Sequence, residues 1–332
     1  MSTIKFITFA DVHISSVNPQ SRLGSYQDDI VDKLNQIKMV GKKLEVDFFI
    51  CAGDLFNLKA PMRNPHSLNS TLIDLFKSFP APIYTTEGNH DLRNDSYETF
   101  DEQPLNVLYS SGALCQLREQ LFVKDDLSLK LRGFPFSEDP KLSELPKADE
   151  KLDATVCVLH LYATPDGGML FKQKLFSYED IAKLNDDIFV LGHYHINQGT
   201  QIIESNGKPQ HFINVGALSR GSLAEDNITR IPKISIVTIE KTDKVNIKVQ
   251  AATLKVRPAD EVFDIEKKEE EKKKFKEAEE FVDKLREETS IIAEGDDRVE
   301  KEIDKLGLDK EILNKVSHFL AEADLVLKEM IK

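Results

Sequence analysis

Ile4-Lys5-Phe6-Ile7-Thr8-Phe9-Ala10-Asp11-Val12-His13 is a run of β-prone side chains that stops on a carboxylate and an imidazole. The design recurs along the chain. Residues 46–52 run into Gly53-Asp54, residues 155–159 into His160, and residues 188–191 into Gly192-His193-Tyr194-His195. A further block, Gly88-Asn89-His90-Asp91, follows a short strand-like run at 83–86. Short apolar runs bounded by polar residues read as buried strands. Helical patterns lie between them, with Ile30, Leu34 and Ile37 inside 25–44 and Leu68, Leu72, Leu75 and Phe76 inside 67–79. This alternation predicts βαβ units around a mixed or parallel sheet, an α/β fold whose ligands gather at the carboxyl ends of strands.

Around that frame, 114–136 predicts antiparallel edge strands and the polar, Pro-broken stretch 137–153 a surface loop. After His195 the pattern is β-rich, with a hairpin at Asn206-Gly207 between 200–204 and 211–215, then strands at 233–240 and 245–256. Composition changes at Pro258. From 264 to 289, 19 of 26 residues are charged, and a narrow seam of Phe275, Ala278, Val282 and Leu285 predicts a solvated helix. A last helix follows Asp309, with a broad stripe through Ile312, Val316, Phe319 and Leu320 that has to bury against something.

The 332 residues suffice for one large domain and an appendage, and 40% are apolar. No stretch reaches the roughly 18 apolar residues of a membrane span, and a strand beginning at Ile4 leaves no signal peptide. Three cysteines without paired spacing point to a reducing cytosol, with Cys51 and Cys157 as core residues. The net charge is −13; the segment 264–332 has 15 basic and 22 acidic residues, a net of −7, which leaves −6 for the first 263. The basic balance usual for DNA-binding proteins is absent, although two bound dications would restore positive charge locally.

Imidazoles, carboxylates and an amide oxygen delivered from several strand ends describe a site for two divalent metal ions. Asp54 would bridge. Asp11, His13 and His195 would complete one ion's shell, and Asn89, His160 and His193 the other's. The pairs Asp11/His13 and His193/His195 are spaced i and i+2, so in extended backbone both members point the same way. His90, next to Asn89, then points towards substrate as the candidate general acid, with Asp91 as its supporting partner.

The five blocks resemble the calcineurin-like metallophosphoesterases, whose pattern is D-x-H, G-D, G-N-H-[DE], H and G-H-x-H. Within that superfamily, Gly53-Asp54-Leu55-Phe56 and the charged tail resemble the SbcD-type nuclease subunit of DNA double-strand-break repair, and phage recombination nucleases are similar in size. The resemblance implies a four-layer β-sandwich flanked by helices, a small α+β or β capping segment and a C-terminal helical tail. It places the nuclease domain at 1–231, a reduced cap at 232–257 and a helical region at 264–332 that grips the coiled coil of an SbcC-type ABC ATPase. It also implies two metal ions, manganese first with Mg2+, Fe2+ or Zn2+ as alternatives. The implied activity is a 3′–5′ exonuclease on double-stranded DNA and an endonuclease on single strands, working as a homodimer through the nuclease domain in the cytosol of a bacterium or phage-infected host. Two positions depart from the pattern: Ile14-Ser15 stands where Leu-Gly is usual, and Asn57 where Asp is common.

Other readings compete. A small-molecule phosphodiesterase or protein phosphatase could use the same fold, but the phosphatase extension G-D-x-x-D-R-G is not matched by Gly53-Asp54-Leu55-Phe56-Asn57-Leu58-Lys59. A non-catalytic scaffold for an ATPase would need none of the ligands. His66, His211 and His318 carry no motif and default to structural or surface roles, and Gly167-Gly168 to a turn. Arg22, Arg63 and Arg93 default to solvated arginines, with phosphate contacts as the alternative.

Overall fold

A computed structural model describes residues 2–266 apart from 20, 21, 150, 171 and 172, together with 273 and 276. The chain divides into two units, Met1–Phe263 and Asp264–Lys332. The helices expected across 264–332, and His318 with them, lie outside the described residues except at 264–266, 273 and 276.

β1 (Ser2–Phe9) leads to α1 (Tyr26–Leu44), which Ser25 caps by accepting from the Asp28 amide. Asp28 and Asp29 in its first turn and Lys42 and Lys43 in its last complement the helix dipole. β2 (Phe48–Cys51), α2 (His66–Lys77), β3 (Ile83–Thr85), α3 (Pro104–Ser110) and β4 (Cys115–Gln116) follow, and the four strands lie parallel. β5 (Glu119–Lys124) and β6 (Leu127–Phe134) form a hairpin, and β7 (Ala154–His160) runs parallel to β6. A small sheet of β8 (Ala163–Thr164), β9 (Gly168–Leu170) and β10 (Gln173–Ser177) turns at Gly167-Gly168. α4 (Tyr178–Ala182) then leads to β11 (Ile188–Gly192). β12 (Gly199–Ser205) and β13 (Lys208–Asn214) meet at Asn206 and Gly207, both left-handed as a two-residue hairpin turn demands. α5 (Glu225–Thr229), β14 (Lys233–Lys241), β15 (Val245–Thr253) and α6 (Ala259–Val262) complete the first unit.

Two six-stranded sheets carry the architecture, in the orders β15-β14-β1-β2-β3-β4 and β12-β13-β11-β7-β6-β5. Side-chain alternation sets the layers. Ile4, Phe6, Phe48 and Ile50 from the first sheet meet Leu129, Leu131, Val156, Val158 and Val190 from the second in one core. The opposite faces of the same strands carry Ile7, Phe9, Phe49 and Cys51 onto α1, α2 and α3. Likewise Cys157, Leu159, Phe189 and Phe212 pack onto Tyr178 and Ile181 of α4. The result is a four-layer α/β sandwich, which is why β2 and β7 read as unbroken apolar runs: both faces are buried.

Three local expectations are corrected. Residues 232–257 do not stand apart as a cap, because β14 pairs antiparallel with β1 and β15 with β14, extending the first sheet. Within 114–136 only β5 is an edge of its sheet by an antiparallel pair; β6 is interior and β4 is a parallel edge of the other sheet. The loop 137–153 is anchored, since Leu142 and Leu145 pack against the third core and the Pro146 carbonyl accepts from Arg132 Nη1 at 2.5 Å. Arg132 and Asp186 are both fully buried and paired through two contacts, Nε to Oδ1 at 3.2 Å and Nη2 to Oδ2. Asp186→Ala strands the guanidinium in the interior, so a loss of about 3–5 kcal/mol is expected in urea unfolding. A change below about 1 kcal/mol would show that water reaches the pair.

Among the described residues no helix is long and apolar enough to cross a membrane.

Candidate metal centre

The parallel strands of both sheets present their carboxyl ends at one place. After β1 the chain runs on beside the segment following β2, with Asp11 N donating to Gly53 O (3.2 Å), His13 N to Asp54 O (3.0 Å) and Ile14 N to Leu55 O (2.9 Å). Yet the backbone there is not extended. Asp11 (φ 50°), His13 (φ 47°) and Asp54 (φ 52°) are left-handed, as is His193 (φ 84°) after β11. Asp11 and His13 thus converge from left-handed rather than the expected extended backbone, a conformation that costs roughly 1–2 kcal/mol for a residue with a Cβ. Such strain persists where the surrounding ladder over-determines it.

The side chains converge into two groups that share Asp54. Asp11, His13, Asp54 and His195 place one donor atom each within 4.8 Å of one another, and so do Asp54, His160 and His193. Asp54 Oδ2 faces His13 Nε2 at 3.5 Å, while Oδ1 faces His160 Nε2 at 3.4 Å. Asn89 Oδ1 joins the second group, 3.3 Å from His160 Nε2. His13 Nε2 and His195 Nε2 approach to 2.9 Å. All seven side chains proposed from sequence are thus brought together.

These donors fit divalent cations. Asp11 Oδ2 and Asp54 Oδ2 are buried and accept no hydrogen bond among the described residues, an expensive state for carboxylate oxygens unless a cation meets them. His160 Nδ1 donates to the Ala52 carbonyl at 2.6 Å, which fixes the ring and turns Nε2 inward. Two glycines make room for the donors. A Cβ on Gly88 would lie 2.1 Å from Asp54 Oδ1, and one on Gly192 would lie 2.0 Å from the Ala52 carbonyl oxygen.

Burial sets the protonation states. It holds His13 well below the usual imidazole range and His193 down at about 3, so both are neutral. Burial also raises Asp11, despite the opposing charges of His195 and His160. For Asp54 burial works upward, but the charge of His160 and its hydrogen bond outweigh that and keep the carboxyl well below the usual range. His160 is the converse: burial would lower it, and the Asp54 charge pushes it up to about 9. A metal ligand must be deprotonated, so cation binding displaces the His160 proton. Apparent metal affinity is then expected to rise about tenfold per pH unit up to about 9 and to flatten above it. Titration calorimetry in buffers of different ionisation enthalpy measures this; an affinity unchanged from pH 7 to 9 contradicts it.

His90 lines the adjoining cleft and packs edge-on to His13, ring centroids 4.7 Å apart. Its Nδ1–H donates to the Asn57 carbonyl at 2.8 Å, which fixes the ring against that loop. Asp91 plays a different part from the one expected. Its carboxylate does not support His90; it accepts from the amides of Leu55 (3.1 Å), Phe56 (3.1 Å) and Gly88 (3.0 Å) and so ties the two motif loops together. Burial and the nearby Asp54 charge push it up to about 7.

Sequence reasoning missed several contributors. Tyr162 packs on His193 with ring centroids 3.7 Å apart and planes tilted by 52°, and Phe136 packs on it at 5.3 Å. Tyr26 donates to the His13 carbonyl at 2.9 Å, and buried Glu87 accepts from Gln116, Arg118 and Tyr97 just before Gly88. Only Glu87 had a signal, as an acid beside a motif. Asn57 acts through its backbone carbonyl, which accepts from His90. His66 is exposed, and His211 is buried in β13 away from the centre.

The cleft beside the centre holds about 410 Å³ and is bordered by His13, His90 and His195. A larger cavity of about 690 Å³ lies between α1 and 255–262; it includes none of the donors, and its Arg22 and Arg257 are paired with Asp29.

The sequence profile described as calcineurin-like phosphoesterase matches residues 4–197, an interval that includes all five motif blocks. No curated protein matches the sequence. Among solved structures, one reported as the structural and functional characterisation of a novel archaeal phosphodiesterase is 13% identical, with a TM-score of 0.36 over 76% of this chain and 100% of that one.

Proposed function

Since the chain belongs to the calcineurin-like phosphoesterases and is a metal-dependent phosphoester hydrolase, we propose that it is a two-metal phosphodiesterase acting on DNA, the nuclease subunit of an SbcCD-type end-processing complex. The observation that carries this reading is the carboxylate of Asp54, each oxygen of which faces an imidazole of a different donor group. Asp11, His13 and His195 would hold one ion and Asn89, His160 and His193 the other; the family resemblance favours Mn2+, and the mixed imidazole, carboxylate and amide donors also suit Fe2+ or Zn2+. When bound, the ions supply positive charge to the phosphoryl oxygens and acidify the attacking water. The protein's own part is positioning and proton transfer. Asn57 orients His90 so that its Nε2–H can protonate the leaving alkoxide, and Asp91 keeps the loops of Asp54 and Asn89 in register. The region 264–332 binds the ATPase subunit, and the first unit, Met1–Phe263, pairs with a second copy.

A second reading, a small-molecule phosphodiesterase, is favoured by the net charge of −6 on the first 263 residues, which gives DNA no general electrostatic pull. Purified protein with Mn2+, offered linear duplex DNA, a single-stranded circle and an aromatic phosphodiester, separates the two. Cleavage of DNA that His90→Ala suppresses supports the nuclease; hydrolysis of the aromatic ester alone establishes the second reading. Loss of metal-dependent hydrolysis in both leaves a scaffold.

A further inference from the structure

Residues 2–266 contain eight arginines, and seven have partners for their guanidinium groups. Arg22 and Arg257 pair with Asp29, Arg93 with Glu102, Arg118 with Glu87, Arg132 with Asp186 and Arg230 with Asp226, while Arg220 donates to three backbone carbonyls. Arg63 alone has no hydrogen-bond or ion-pair partner for its side chain among the described residues. Among the described residues it is also the only lysine or arginine bordering the cleft beside the metal centre, and none of them brings a carboxylate to that cleft.

Its placement is built. Arg63 ends the 3-10 turn Pro61–Arg63, and the next residue, Asn64, is buried and donates through Nδ2 to the carbonyls of Leu58 (2.8 Å) and Ala60 (3.1 Å). Lys59 on the same loop is neutralised by Asp95 at 2.7 Å. The loop begins at Asn57, whose carbonyl fixes His90. One stiff segment thus sets both the proposed proton donor and an unpaired guanidinium at the same cleft. A scissile phosphate is served by the metal donors and His90, so a further cation at the rim answers a second negative charge.

We propose that Arg63 is a specificity-determining residue that grips the phosphate flanking the scissile one, so that the site selects a polynucleotide strand over an ester with a single phosphate. This deepens the phosphodiesterase reading and rests on it. Arg63 presents a planar fork matched to phosphate oxygens.

The test compares wild type, Arg63→Ala and Arg63→Lys, with Mn2+, on a single-stranded trinucleotide and on bis(p-nitrophenyl) phosphate. Affinity for the trinucleotide is measured separately with Ca2+ in place of Mn2+. Arg63→Ala is expected to raise KM and weaken affinity for the trinucleotide about tenfold, the scale of one charge-assisted contact, without changing kcat on the aromatic ester. The slope of log(kcat/KM) against log salt should become shallower by about one. Arg63→Lys should recover part of the loss. Equal losses on both substrates, or none on the trinucleotide, overturn the proposal. If wild type hydrolyses neither ester, the phosphodiesterase reading falls. The Ca2+ affinities still decide Arg63: unchanged affinity overturns its role, and tenfold weakening supports it.

Discussion

Asp54→Asn is expected to lower kcat/KM on any phosphodiester by at least about a thousandfold while leaving the fold intact. The substitution preserves volume at a fully buried position, so the cores on either side keep their packing. What changes is chemistry. Oδ1 accepts from the His90 amide at 2.8 Å and faces His160, whereas Oδ2 faces His13 and has no donor. An amide offers one oxygen and no charge, so it satisfies one group of donors and presents N–H groups to the other. Several kcal/mol of charge stabilisation at the reacting phosphate are lost with the second ion. Metal content by mass spectrometry should fall together with activity, and circular dichroism should not change. Full activity in this variant would mean that the two groups of donors work independently.

Gly88→Ala should be nearly as damaging, although it adds a single methyl. Its Cβ would sit 2.1 Å from Asp54 Oδ1 and 2.4 Å from the Asp54 amide nitrogen. Neither can retreat. Asp54 is left-handed at φ 52° and fixed by the His13 amide, and the Gly88 amide is itself held by Asp91. The methyl must push the bridging carboxylate out of place, and misplacing a supporting contact of a metal site costs roughly 10–100-fold in metal affinity. Overpacking adds about 1–3 kcal/mol of instability. Gly221→Ala is the control, since its Cβ would meet nothing nearer than 3.5 Å and should leave activity within about twofold. Comparable losses in both variants would remove the steric explanation.

Asp54, His160 and His193 were legible in the sequence because β2, β7 and β11 are buried on both faces, and such strands announce themselves as short apolar runs. That Gly53, Gly88 and Gly192 leave no room for a Cβ is visible only in the structure. What stayed hidden depends on backbone and on distance in the chain. Left-handed Asp11 and His13 look like ordinary strand residues in a sequence, and the Asn57 carbonyl that orients His90 has no residue-type signature. The pairing of β14 with β1 joins residues more than 200 positions apart, so 232–257 could be read as a separate cap. Asp91 was assigned to its sequence neighbour His90, whereas its carboxylate serves amides at 55, 56 and 88.

The most direct test is anomalous diffraction from a crystal soaked in manganese. Two peaks are expected, one among Asp11, His13 and His195 and one among Asn89, His160 and His193, each bonded to an oxygen of Asp54. A single peak, or two that do not share Asp54, contradicts the account.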